Sequence, residues 1–291
     1  SAACSFPFLP IVNVAGTFRN LNCSLTVTDR TVSSDWRLGT GDLCFYGELA
    51  WDGAAAGLAG LRWVPSYGQS LALSLRYYSP KFRGDNAGAL RSSTKVHDES
   101  GVSAAYSSKV LNVTMDACMH PEKKTSQLKG SVKLAPEYEI RNFIIKPSVM
   151  VNLRLRPQET SRWRNSVRSE IDASLGPFNA HARLEFLKCR DLSWLTYSEL
   201  GYNTSVSAVI RWTLFKVDNW DDRIYAYEHD VPGTFNTPAY YGRGWGLSVY
   251  AGWKINVRHS LYLRASTLQY RWMVQDKPSR SEIRLQYRLS L

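Results

Sequence analysis

The chain has 291 residues, 44% of them apolar and 12% aromatic, and carries a formal net charge of +11. A mean hydropathy of −0.29 and the lack of any apolar run near the roughly 18 residues of a spanning helix exclude a helical membrane protein. A β-barrel escapes that exclusion, because only alternate residues of a membrane strand must be apolar.

The chain opens Ser1-Ala2-Ala3-Cys4, with no basic segment followed by an apolar one, so no signal peptide stands in the sequence. Cys4, Cys23, Cys44, Cys118 and Cys189 are widely spread and form no Cys-x-x-Cys pair, which reads as isolated thiols. Period-two alternation then runs along the chain. It is weak near residues 8–18 and clear at 21–29, 42–51, 70–78, 102–110, 111–119, 148–156, 163–175, 178–189 and 206–216. Weaker cases lie near 55–63, 138–146, 192–202 and 260–273.

The clearest strand is Gly244 to Val257, where Trp245, Leu247, Val249, Ala251, Trp253 and Ile255 share one face, and Ser248, Lys254 and Asn256 share the other. The last segment sets Ile283, Leu285, Tyr287 and Leu289 against Glu282, Arg284, Gln286 and Arg288. The pattern predicts about 14 to 16 strands, most of the length a tilted membrane strand requires. Trp51, Trp63, Tyr77, Trp163, Trp245 and Trp253 fall on apolar faces, several at strand ends, as interfacial girdles demand. The expectation is an all-β fold, a closed antiparallel transmembrane β-barrel spanning 1–291 as a single domain, in the outer membrane of a Gram-negative bacterium.

Short links are expected at Lys146-Pro147, Gly176-Pro177, 203–205 and 256–259, and long ones at 80–100, 120–137 and 217–242. Their alternation places the long loops outside the cell and the short turns in the periplasm. Leu128 to Leu134 also alternates but breaks an even strand count, and reads as a loop ribbon. At Gly176-Pro177 a two-residue turn puts Leu175 opposite Phe178, hence Asp172 opposite His181, Glu170 opposite Arg183 and Arg168 opposite Glu185.

The polar phase therefore predicts a lumen network of Arg168, Glu170, Asp172, His181, Arg183, Glu185, Arg211 and Lys254. Its basic excess would favour anions if water fills the lumen, whereas mutual pairing would make it a structural wall. Asp218, Asp221, Asp222 and Glu228 offer oxygen ligands for calcium without the spacing of a calcium loop, and a solvated or Arg223-paired cluster is the competing reading. Trp220, Tyr225, Tyr227, Tyr240 and Tyr241 suit either a partner surface or a plug. No histidine lies in a metalloprotease box or near a nucleophile elbow, so the sequence names no catalytic residue and no cofactor. Basic residues scattered along strand faces argue against a nucleic-acid partner.

Three stretches carry a resemblance: FYGELAW (Phe45 to Trp51), RYYSPKF (Arg76 to Phe82) and WDDRIYAYEHDVPGTFNTPAYYGRGW (Trp220 to Trp245). In this order they are similar to the C-terminal barrel of uncharacterised Bacteroidota outer-membrane proteins that contain a helix-hairpin-helix domain, over roughly residues 40–291. The resemblance implies a barrel embedded in outer-membrane lipid and lipopolysaccharide. This chain has no stretch that reads as the helix-hairpin-helix module. The expected function is a non-enzymatic membrane-embedded subunit of an envelope protein assembly. The alternatives are a passive or gated pore favouring anionic solutes, and an outer-membrane hydrolase.

Overall fold

The computed structural model describes residues 12–28, 30–83, 90–92, 96–270 and 279–289. Its first strands are β1 (Val12–Phe18), β2 (Leu21–Val27), β3 (Val32–Thr40), β4 (Leu43–Trp51), β5 (Ala55–Trp63), β6 (Ser70–Tyr78), β7 (Glu99–Ser107), β8 (Leu111–His120) and β9 (Thr125–Leu134). They are followed by β10 (Tyr138–Ile140), β11 (Phe143–Leu155), β12 (Trp163–Leu175), β13 (Phe178–Lys188), β14 (Leu192–Asn203) and β15 (Val206–Val217). The short β16 (Ile224–Tyr225) and β17 (Ala239–Tyr240) precede β18 (Gly242–Lys254), β19 (His259–Tyr270) and β20 (Arg280–Leu289). β16 and β17 form a two-stranded ribbon and the other strands one 18-stranded sheet. The fold is all-β and antiparallel, an up-and-down arrangement of the kind that closes into barrels. No helix among the described residues is long and apolar enough to cross a membrane.

The chain divides into two units, Ser1–Ser131 with Arg154–Thr160, and Val132–Leu153 with Ser161–Leu291. In the first, β1 to β8 pair in sequence order. Its connections at 19–20, 41–42, 64–69 and 108–110 share one end, and β6 ends and β7 begins at the other. In the second, β10 and β11 form a hairpin, and β12, β13, β14, β15, β18, β19 and β20 pair in succession. Here the turns 176–177, 204–205 and 255–258 share one end, and 218–241 leaves from the other.

Each unit has two chemically opposite faces, because successive side chains point to opposite sides of a strand. In the first unit Leu49, Trp51, Leu75 and Tyr77 are exposed while Ser74, Arg76 and Tyr78 are buried. In the second, Leu200 is 65% and Ile210 46% exposed, yet Leu195 and Arg211 on the opposite phase are 0% and 3% exposed. The greasy side is thus the outer one. Water does not tolerate so extended an apolar band, so this face is built for an apolar solvent.

The β12–β13 hairpin has the register that the two-residue turn predicts: Leu175 faces Phe178, Asp172 faces His181, Glu170 faces Arg183 and Arg168 faces Glu185. Gly176 has φ +55°, a conformation that only glycine takes without strain at this first turn position. Three expectations change. β3 has too few apolar residues to alternate strongly, but it pairs along its length with β2 and β4, and the Trp36 ring lies over Gly47, where a Cβ would come within 2.5 Å of it. Leu128–Leu134 belongs to β9 of the sheet and is not a loop ribbon. Lys146-Pro147 is not a link, since β11 runs through it; the β10 ladder stops at Ile145, so the missing proline N–H costs no bond there.

Cys23, Cys44, Cys118 and Cys189 are free thiols. Cys4, residues 8–11 of the first expected strand and the terminal Leu291 lie outside the described residues.

Candidate functional site

The second unit draws its 218–241 segment onto the polar face of β12 to β15. Asn219 caps the single turn Trp220–Asp222, its side chain accepting from Asp221 N–H, and Ile224 then pairs with Tyr240 across the β16–β17 ribbon. Ile224, Ala226 and Tyr240 are nearly inaccessible, packed on Leu187, Leu195, Phe215 and Val217. Those four sit on the same phase as the strand charges, so that phase becomes apolar where the ribbon lies. Phe215 and Tyr240 meet edge to face with centroids 5.1 Å apart.

Strand arginines fasten the segment through its backbone. Arg164 donates to the carbonyl oxygens of Asp221 and Arg223, the latter at 2.9 Å. Arg183 Nη2 donates to Tyr225 O at 3.1 Å, and Arg211 Nη1 to Tyr227 O at 2.5 Å. Arg211 also lies 4.1 Å above the Tyr197 ring and donates to Glu199 Oε1 at 2.6 Å. Further along, Arg264 Nη2 donates to Glu228 Oε2 at 2.6 Å, and Arg284 pairs with Asp230.

Asp222 locks the other edge. Fully buried, its carboxylate accepts the backbone N–H groups of Cys189 at 2.6 Å, Arg190 at 3.0 Å and Asp191 at 2.9 Å in the β13–β14 turn. Asp222→Ala would leave three amides without their acceptor and loosen the segment. Trypsin is then expected to cut after Arg223 much faster than in the parent chain, where Ile224 is 1% exposed; equal cleavage rates would mean the carboxylate is not what holds it.

The four calcium candidates do not converge. Asp218 pairs with Arg243, Asp221 with Arg190 at 2.8 Å, Asp222 with the turn amides, and Glu228 with Arg264, Tyr240 and Asn236. Among the described residues no three metal-ligating side chains cluster. The hydrogen bond from Arg243 holds the Asp218 carboxyl below its usual range. Burial, then the Glu228 carboxylate, pushes the Tyr240 hydroxyl far above the ordinary phenol range, so it stays a donor.

Of the expected lumen network, Arg168 and Arg183 share Glu185, Arg168 Nε at 3.1 Å. His181 Nδ1 is 2.6 Å from Asp172 and its Nε2 2.9 Å from Tyr197 OH. Arg183 Nε stands 3.9 Å from Glu170, too far for a hydrogen bond. Lys254 lies apart, exposed at the end of β18 opposite Ser260. Of the five loop aromatics only Tyr240 is buried, while Trp220, Tyr225 and Tyr227 are about half exposed and Tyr241 packs edge to face on Trp220. Sequence reasoning missed Arg164 and the Asp222 nest as loop anchors, because both act through backbone groups that leave no side-chain pattern.

Beneath the segment lies a cavity of about 540 Å³, lined by β11 to β15 and by Tyr227 and His229 of the loop.

The first unit has its own buried charge centre on the polar phase. Arg76, 4% exposed, donates to Glu99 at 2.5 Å, Ser103 at 2.7 Å and both Asp116 oxygens at 2.7 and 3.1 Å. Gly101 makes room for it, since a Cβ there would come within 2.6 Å of the Arg76 guanidinium. Glu99 also accepts from the Ser92 N–H and hydroxyl, and Phe82 and Val96 pack on Tyr78, so the described parts of 79–98 fold inward as well.

No family model matches the chain, and no curated protein does. Among solved structures it is similar to Pseudomonas aeruginosa OccK2 (OpdF) in complex with glucuronate, with 9% identity, TM-score 0.48 and coverage of 97% of this chain and 91% of that one. Pseudomonas aeruginosa OccK10 (OpdN) gives 10%, 0.47, 97% and 92% in the same terms, and Pseudomonas aeruginosa OpdL 8%, 0.47, 95% and 89%.

Proposed function

We propose that the sheet closes into an outer-membrane barrel and works as a selective pore, its lumen narrowed by the inward-folded 218–241 segment. The observation that carries this reading is the docking of that segment on the polar face by Arg164, Arg183 and Arg211, with a cavity of about 540 Å³ left beneath it. A sheet of this strand number leaves an aqueous channel when closed, and a loop folded inside sets its narrowest point. Tyr240 is spent inside the fold, which favours the plug over the partner surface. The anion preference expected from the basic excess loses its support, because Arg168, Arg183, Arg211, Arg264 and Arg284 each face a carboxylate.

Planar-bilayer recording tests the proposal. Purified chain should insert with discrete, uniform conductance steps, and a folded preparation that never conducts would sink the pore. The membrane setting has its own check. Val249, on the exposed apolar phase, should tolerate Arg poorly, at a cost of about 2 to 4 kcal/mol if it faces mid-bilayer lipid. The heat-modifiable band on gels should then shift to lower temperature, and an unchanged shift temperature would reverse the facing.

A further inference from the structure

The cavity beneath the loop is charged but balanced: Lys146, Arg183 and Arg211 line it together with Glu170, Asp172 and Glu199. Its charges are unequally spent. Arg211 and Glu199 are closed on each other at 2.6 Å, and Lys146 reaches Glu137 at 3.1 Å. Three groups keep unused capacity. Arg183 is 6% exposed and its Nε–H has no hydrogen-bond partner, while Glu170, across a 3.9 Å gap, is too far to accept from it. Asp172, on the same strand face as Glu170, is 60% exposed at its side chain and engages only one oxygen with His181. A buried donor and two open acceptors thus stand side by side.

A lone anion would meet Glu170 and Asp172, and a lone cation would meet Arg183; like-charge approach in a partly desolvated site costs too much for either. A solute carrying both charges on adjacent carbons satisfies all three groups. We infer that this cavity binds a small zwitterion of the α-amino-acid class, its ammonium donating to Glu170 and Asp172 and its carboxylate accepting from the Arg183 guanidinium. The volume exceeds what the charged end fills, leaving room for a side chain toward Tyr227 and His229. The inference rests on the pore reading for the route by which solute arrives, but not for binding itself.

The test uses the detergent-solubilised full chain, titrated by saturation-transfer NMR with L-alanine, N-acetyl-L-alanine and L-alaninamide. Alanine should bind about tenfold more tightly than either blocked form, the loss of one charge-assisted hydrogen bond. Glu170→Gln and Asp172→Asn, each checked for an unchanged heat-modifiable band, should erase the advantage over N-acetyl-L-alanine, weakening alanine and tightening the N-acetyl compound as the carboxylate that repels it is neutralised. Equal affinity for the three compounds, or no binding at all, overturns the inference even if channels conduct. Discriminating binding in a chain that forms no channels would uphold the site and remove the pore.

Discussion

Deleting residues 219–238 is expected to raise single-channel conductance at least about threefold, since the proposed 18-stranded pore, relieved of this segment, would leave a wider aqueous channel. The deletion should spare the scaffold, because β15 and β18 pair from Val206 with Trp253 through to Val217 with Gly242 and do not need the ribbon for their register. Loss of Ile224 and Ala226 exposes Leu187, Leu195, Phe215 and Val217, which would then line a wide, partly apolar mouth. Arg164→Ala removes only two of the carbonyl contacts, so it should give brief open flickers within the parent conductance rather than a new level. A deletion variant that folds and conducts like the parent would show that the constriction lies elsewhere.

The second large effect is expected at Arg211. Its guanidinium, 3% exposed, serves Glu199, Tyr227 O and the face of Tyr197 together. Arg211→Ala leaves the Glu199 carboxylate buried without its cation, and breaking one side of such a pair costs about 3 to 5 kcal/mol. Arg211→Ala with Glu199→Gln should recover a good part of that, because the orphaned charge disappears while the lost loop contact remains. Urea unfolding in detergent, followed by tryptophan fluorescence, would measure both. If the double variant is no more stable than the single one, the cost lies in the loop contact and not in the charge.

The hairpin at Gly176-Pro177 shows how much was legible in the sequence. A two-residue turn and two faces of opposite polarity leave only one register, and the strands take it. The strand count was less legible. β3 is hard to read because Ser34 interrupts its apolar phase of Val32, Trp36 and Leu38, and with one strand missing, parity makes β9 look superfluous. Two strands were therefore lost to a single omission. At the site, the polar phase announced Arg168, Glu170, Asp172, His181, Arg183, Glu185 and Arg211, since strand alternation fixes which side they face. It did not announce what they touch. The direct partners of Arg183 turned out to be Glu185, two residues along the same strand, and a loop carbonyl, neither of which cross-strand pairing reveals.

Arg164, Arg183 and Arg211 grip the segment by the carbonyls of Asp221, Arg223, Tyr225 and Tyr227, groups that every residue type possesses. Seat and cargo contact are thereby uncoupled. Side chains at 225, 227 and 229 can be exchanged without surrendering a fastening bond, so the inner surface can drift toward a different solute while the strand framework stays as it is. In the proposed pore, a handful of loop codons would then set what is admitted, a cheap path for divergence among duplicated copies.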